Sequence, residues 1–116
     1  MFYYFSSATN STLSNFHLTE LTFDGIVYQS SEQAYQHQKA LYHNCNKIAK
    51  DILSSPDPRK NLRFGKLITT DISWKGKKVS TMTRILEEKF FQCPEFRAEL
   101  FVSKDKVLVE YTPNRE

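Results

Sequence analysis

Three glycines and four prolines are few for a chain of 116 residues. That scarcity excludes collagen-like and Pro/Gly-rich disordered chains, and it makes each glycine and proline a positional signal. Two cysteines, Cys45 and Cys93, are too few for a disulfide framework, and no Cys/His cluster has metal-site spacing. No metal and no other cofactor is therefore expected, and free thiols fit a reducing cytoplasm. No apolar run approaches the roughly 20 residues of a membrane-spanning helix. The opening residues Met1-Phe2-Tyr3-Tyr4-Phe5-Ser6 lack the basic flank and long apolar core of a secretory signal. Neither sign of charge is in large excess: the formal charge is +3. That balance admits an anionic or phosphorylated ligand without requiring a nucleic acid. Internal repeats and low-complexity linkers are also missing, so residues 1–116 read as one domain.

What is present is a globular composition, 40% hydrophobic and 14% aromatic, with nine Phe and six Tyr. The chain is organised around Ser30-Ser31-Glu32-Gln33-Ala34-Tyr35-Gln36-His37-Gln38-Lys39-Ala40-Leu41-Tyr42. Ser30 and Gln33 have capping-box spacing: the hydroxyl takes an orphan backbone N–H and the Gln side chain reaches back. Few of the following residues disfavour helix, which predicts a helix from about Ser31 to Tyr42. On it Glu32, Gln36 and Lys39 share a face. Glu32 and Lys39 stand roughly 10 Å apart along the axis, too far for an ion pair and right for gripping the two ends of a small polar ligand. The plainer reading of the same spacing is two solvated charges, with Glu32 suiting the helix dipole.

Around this helix, Phe2–Phe5 reads as a strand and Ser6–Ser11 as a polar loop leading to Leu13-Ser14-Asn15-Phe16. Thr22-Phe23-Asp24-Gly25-Ile26-Val27-Tyr28 predicts a type I′ hairpin, with strands near 21–23 and 26–28. The main helix weakens at Asn44-Cys45-Asn46 and restarts over Lys47–Leu53. Asp57 caps a short helix that has Pro58 at its first position, carries Arg59, Lys60, Arg63 and Lys66, and has Gly65 as its C-cap. Residues 67–75 read as loop or short strand, with the single Trp74. Lys75-Gly76-Lys77-Lys78 reads as a solvated helix start. A helix over about 77–92 should bury Met82, Ile85, Leu86 and Phe90. Another runs from Pro94 to about Phe101, and Lys106–Tyr111 alternates as a strand. Few strands and several helices predict an α+β domain, mostly helical and packed on a small sheet.

The ordered set of motifs resembles the NADAR domain family over nearly the whole chain. It comprises Leu13-Ser14-Asn15-Phe16, Asp24-Gly25 with Tyr28, Ser31-Glu32-Gln33-Ala34-Tyr35-Gln36 running to Lys39-Ala40, Gly65-Lys66 and Trp74. Met82, Lys89-Phe90, Pro94-Glu95, Leu100 and Val109-Glu110 complete it. No single piece is specific; the order and spacing are. The resemblance implies hydrolysis of an N-glycosidic bond to ribose. The resemblance links the YbiA-like branch to phosphorylated ribosylamino-pyrimidine intermediates of riboflavin synthesis, and another branch to removing ADP-ribose from modified guanine. The partners it implies are thus a small phosphorylated riboside or an ADP-ribosylated nucleic acid, with no membrane. It makes Glu32 and Trp74 functional positions and Lys39 a candidate nucleophile.

Those residue types suit the chemistry. Cleaving a ribosyl C–N bond develops positive charge at the anomeric carbon, which a carboxylate such as Glu32 can stabilise. A ribosylamine can ring-open, letting a neutral Lys39 form a Schiff base. That requires burial or a neighbouring cation to lower the lysine pKa. Trp74 can stack on the base, and Asn15 can bond ribose hydroxyls. Arg63 and Lys66 can meet the phosphate, or remain surface charges. Phe16, Tyr28 and Gln36, as members of the family motifs, join the expected substrate-binding set. Family chains continue past the Val-Glu strand into Asp-x-x-Trp-Gly and a last helix, whereas this sequence ends at Arg115-Glu116. The expectation is therefore an N-glycosidase or, in a second class, a catalytically impaired module that binds ADP-ribose or a phosphorylated riboside.

Overall fold

The hairpin at Asp24-Gly25 forms because both turn residues adopt positive φ, 50° and 78°. It joins two short antiparallel strands. The computed structural model describes residues 2–5, 11–102 and 107–110. In chain order the elements are β1 (Phe2–Phe5), β2 (Leu21–Phe23), β3 (Ile26–Tyr28), α1 (Ser31–Tyr42), α2 (Asn46–Ser54), α3 (Pro58–Lys66), α4 (Trp74–Gln92), α5 (Pro94–Val102) and β4 (Val107–Glu110). The fold is α+β, with five helices and a little strand among the described residues. The expected small sheet is two separate ribbons. β2 and β3 pair antiparallel with Leu21 opposite Tyr28, and β1 pairs parallel with β4, Phe2 opposite Val107. Residues 6–10 of the expected polar loop, Lys106 and Tyr111 of the expected last strand, and the tail 112–116 lie outside the described residues. Among the described residues no helix is long and apolar enough to cross a membrane.

α1 starts as its sequence requires. The Ser30 hydroxyl accepts the Gln33 N–H at 3.0 Å. The Gln33 side chain does reach back, but one residue beyond the cap, taking the Gln29 N–H at 2.6 Å. Its amide then donates to the Ile52 and Ser55 carbonyls, tying the start of α1 to the end of α2. α1 ends in a Schellman turn. Asn44 has φ 57°, its N–H donates to Leu41, and the Cys45 N–H donates to Ala40. Asp57 caps α3 as expected, accepting the Arg59 N–H.

Three expectations are corrected. Gly65 lies inside α3 and Leu67 is the C-cap. α4 begins at Trp74, so the last residues of the expected loop are its first turn. Phe90 is 40% exposed, while Lys89 beside it is fully buried. The buried positions of α4 are Trp74, Thr81, Ile85 and Lys89, so the helical phase carries the lysine inward.

Among the described residues the core has three parts. Leu21, Phe23, Tyr28, Ala34 and Ile85 join the hairpin to α1 and α4. Ala40, Ala49, Ile52 and Ile68 lie where α1 meets α2 and the segment after α3. Leu13, Cys93 and Phe96 seat the 11–14 segment on α4 and α5. The Lys89 ammonium donates to the Thr12 and Ser14 carbonyls at 2.6 and 3.1 Å and lies 4.5 Å from the centre of the Phe96 ring. Glu99 takes bonds from the Ser11 and Thr12 hydroxyls and the Thr12 N–H. The segment strapped down this way delivers Asn15 to α1, where its carbonyl accepts the Glu32 N–H at 3.0 Å.

Candidate active site

A cleft of about 790 Å³ opens beside α1, walled by α3, the 70–73 segment and one face of α4. α1 contributes Tyr35, Gln36 and Lys39, three residues on one side of the helix. α4 contributes Trp74, Lys78, Met82 and Leu86, a strict four-residue stripe, with Lys75, Val79 and Thr83 beside it. Leu62 and Lys66 come from α3, and Thr70, Asp71 and Ile72 from the segment between. Four lysines, Lys39, Lys66, Lys75 and Lys78, therefore face one carboxylate, Asp71, among the residues lining the cleft. Such a wall favours an anionic ligand.

Of the residues expected from sequence, Gln36, Lys39, Lys66 and Trp74 line this cleft. Glu32 sits behind Gln36, with 0% of its surface exposed. Its Oε2 accepts the Gln36 amide at 2.7 Å, so its link to the cleft runs through Gln36. Asn15 does not line the cleft. Its side-chain oxygen accepts the Ser31 hydroxyl at 2.9 Å, which secures the first turn of α1. Phe16 and Arg63 are also outside the lining. Tyr28 is buried in the hairpin core, its hydroxyl 2.6 Å from His37 Nδ1 and accepting the Gln38 amide at 3.1 Å. A side chain so enclosed reaches no ligand in the cleft.

Lys39 is half-buried and donates to the Gly65 carbonyl at 3.0 Å. Burial pushes its pKa below the usual ammonium range; the Glu32 carboxylate opposes that shift, and the charge of Lys78 reinforces it. Trp74 is buried among Tyr35, Tyr42 and His43, with ring centroids 5.9, 5.1 and 5.5 Å away. Trp74 is thus packed as a core anchor and also belongs to the lining of the cleft.

Gly65 has a spatial reason here. A Cβ at that position would overlap the Gln36 amide. Gln36 is buried and bonded to Glu32, so it has little room to yield. Gly65→Ala is expected to drive the amide off Glu32 and cost about 1–3 kcal/mol, the usual penalty for a buried acceptor that loses a donor. Urea unfolding measures this; an unchanged midpoint would mean that Gln36 swings aside freely.

Sequence reasoning missed Asp71, Lys75 and Lys78 as cleft residues. The signal was present: starting the helix at Trp74 puts Lys78 and Met82 on the Trp74 face by helical spacing. Lys75–Lys78 resembled a solvated helix start, and four of that turn's residues are indeed exposed, yet two of its lysines line the wall.

The comparisons with known proteins agree with this architecture. The family model for the NADAR domain matches residues 1–116. N-glycosidase YbiA of Shigella boydii serotype 4 (strain Sb227) is 30% identical over 114 residues, covering 97% of this chain and 69% of that protein. N-glycosidase YbiA of Escherichia coli (strain K12) is similar to the same extent, 30% over 114 residues with the same coverage. The NMR structure of E. coli YbiA superposes with a TM-score of 0.78 at 26% identity, covering 96% of this chain and 68% of that one. With the motif order, the α1-centred cleft and a full-length family match in agreement, the chain belongs to the NADAR domain family.

Proposed function

We propose that the chain hydrolyses the N-glycosidic bond of a phosphorylated riboside in this cleft, with Lys39 as nucleophile. The observation that carries the reading is the half-buried Lys39 amine on the cleft wall, its pKa lowered by burial and by the charge of Lys78. A neutral amine is the form that attacks carbon. The sugar C1–ring-oxygen bond of a ribosylamine opens as the nitrogen lone pair forms a C=N bond. Lys39 Nζ adds to C1, and the base leaves as its amine, taking a proton. The resulting imine between Lys39 and C1 is hydrolysed by one water, which returns the free amine and the sugar aldehyde. The Glu32 carboxylate, acting through Gln36, offsets the positive charge of the iminium. Trp74 offers its ring to the base, and Lys66, with Lys75 and Lys78, meets the phosphate. The substrate class is a phosphorylated ribosylamino-pyrimidine or an ADP-ribosyl guanine, met in the cytoplasm.

One observation favours the second class, a module that binds such ligands without turnover: Glu32 is fully buried and absent from the cleft lining. The deciding experiment incubates the protein with each substrate class and follows base release, with borohydride present in a parallel sample. Release together with a reductively trapped sugar on the peptide bearing Lys39 supports the glycosidase. Binding of ribose 5-phosphate or ADP-ribose without release or trapping supports the module.

Lys78 gives a finer check. Lys78→Gln removes a cation that helps lower the Lys39 pKa, so that pKa rises. Activity that depends on the neutral amine grows with pH through that pKa. The acidic limb of the kcat/KM profile is therefore expected to move to higher pH, with a lower rate near pH 7 and recovery above it. A parallel drop at every pH would instead mean that Lys78 only binds substrate.

A further inference from the structure

His43 caps the C-terminal end of α1, and its backbone is set by the Schellman turn. Each of its ring nitrogens meets a group with only one possible role. Nδ1 is 2.7 Å from the Lys39 carbonyl, which can only accept. Nε2 is 3.0 Å from the Asp71 backbone N–H, which can only donate. One protonation state satisfies both: a neutral ring with its proton on Nδ1. The bond to Asp71 crosses from α1 to the segment that forms one wall of the cleft. There the Asp71 carboxylate accepts from the Ser73 N–H and hydroxyl, and that hydroxyl also meets the Tyr42 hydroxyl. The His43 ring stands edge-on to Trp74, the first residue of α4.

We infer that His43, as a neutral imidazole protonated on Nδ1, is a positioning residue that fastens the 70–74 wall of the cleft to the end of α1. Thr70, Asp71, Ile72 and Trp74 all line the cleft from that wall. Without the imidazole acceptor, the Asp71 N–H loses its partner, and among the described residues the wall is left with the Tyr42–Ser73 hydrogen bond and the packing of Trp74 on Tyr35 and Tyr42 to hold it to α1. Among the described residues, the titratable groups against the ring and its backbone are Asp71 on the wall, Tyr42 on α1, and Cys45 in the turn, whose thiol meets the His43 carbonyl.

The first test needs no variant of the wild-type ring. Long-range 15N–1H NMR of uniformly labelled protein at pH 8 reads the tautomer, with the His43 signal assigned by its loss in His43→Gln. A proton fixed on Nδ1 is expected; a proton on Nε2, or rapid exchange between the two, overturns the inference. The second test uses the fluorescence of Trp74, the only tryptophan. His43→Leu should red-shift its emission and raise its quenching by acrylamide, while His43→Gln, whose oxygen can accept the Asp71 N–H, should stay closer to wild type. Equal effects of Leu and Gln, or none from Leu, also overturn it. Both readouts use the ligand-free protein, so they stand or fall apart from the proposed glycosidase. The kinetic consequence rests on that reading: with a turned-over riboside, His43→Leu should raise KM by up to about tenfold, one hydrogen bond's worth, with kcat little changed.

Discussion

Lys39→Ala is expected to slow release of the base by about 10²–10⁴-fold or more, while leaving the protein folded. The lysine is half-buried, and among the described residues its tertiary hydrogen bond is to the Gly65 carbonyl. Truncation therefore costs modest stability, within about 1 kcal/mol, so on the proposed mechanism the loss of rate would be chemical. Glu32→Gln should lower the rate through the charge it removes. It keeps the shape of the carboxylate and an oxygen for the Gln36 amide, so the network around it survives. If the two side chains act on the same iminium, their effects do not add: the double variant should be no slower than Lys39→Ala alone. Single-turnover base release, with circular dichroism as the folding control, decides this. Wild-type rates in both single variants would remove Lys39 and Glu32 from the chemistry and assign it to other residues.

The reason α1 was legible in the sequence is that its determinants are local. Ser30, Gln33 and the Asp24-Gly25 turn act within a few residues, and each does what its chemistry dictates. The face joining Gln36 to Lys39 follows from helical spacing alone. What was illegible depends on contacts distant in sequence. Glu32 looked like an ordinary first-turn carboxylate, but Asn15 and Gln36 enclose it, and nothing at positions 31–35 announces its burial. Trp74 begins a helix without a side-chain cap, on a stretch containing Gly76; its packing on Tyr35, Tyr42 and His43 supplies what local propensity does not. Phe90 was expected inside on hydrophobicity. The helical phase set by Trp74, Thr81 and Ile85 brings Lys89 inside instead, and the carbonyls that receive it belong to Thr12 and Ser14, more than seventy positions earlier. Gly65 was read as a helix end because glycine commonly is one; its use here is room for Gln36.

That buried lysine makes the stability of the fold depend on pH in a way a surface lysine would not. Burial lowers the Lys89 pKa to about 8, against 10.5 for the exposed side chain. Between those values the unfolded chain holds a proton that the folded chain has released, so stability rises with pH across that window. The gain is about 3 kcal/mol if the shift is realised in full. A neutral amine still has two N–H groups for the Thr12 and Ser14 carbonyls, so the strap survives deprotonation. Burial moves Tyr28 the other way, up to about 12 from 10.0. Above pH 10 the unfolded chain gives up the phenolic proton while the folded chain keeps it, and stability falls again by a similar amount toward pH 12. The contribution of these two groups therefore peaks near pH 10. Urea unfolding at half-unit steps from pH 7 to 11.5 should trace that maximum. Lys89→Met should flatten its rising side, so that the difference from wild type grows by about 3 kcal/mol between pH 7 and pH 10. Tyr28→Phe should flatten the falling side and leave the rising side in place. A difference between Lys89→Met and wild type that stays constant with pH would show that the Lys89 ammonium is stabilised in place, with Glu99 and the two carbonyls fully offsetting its burial.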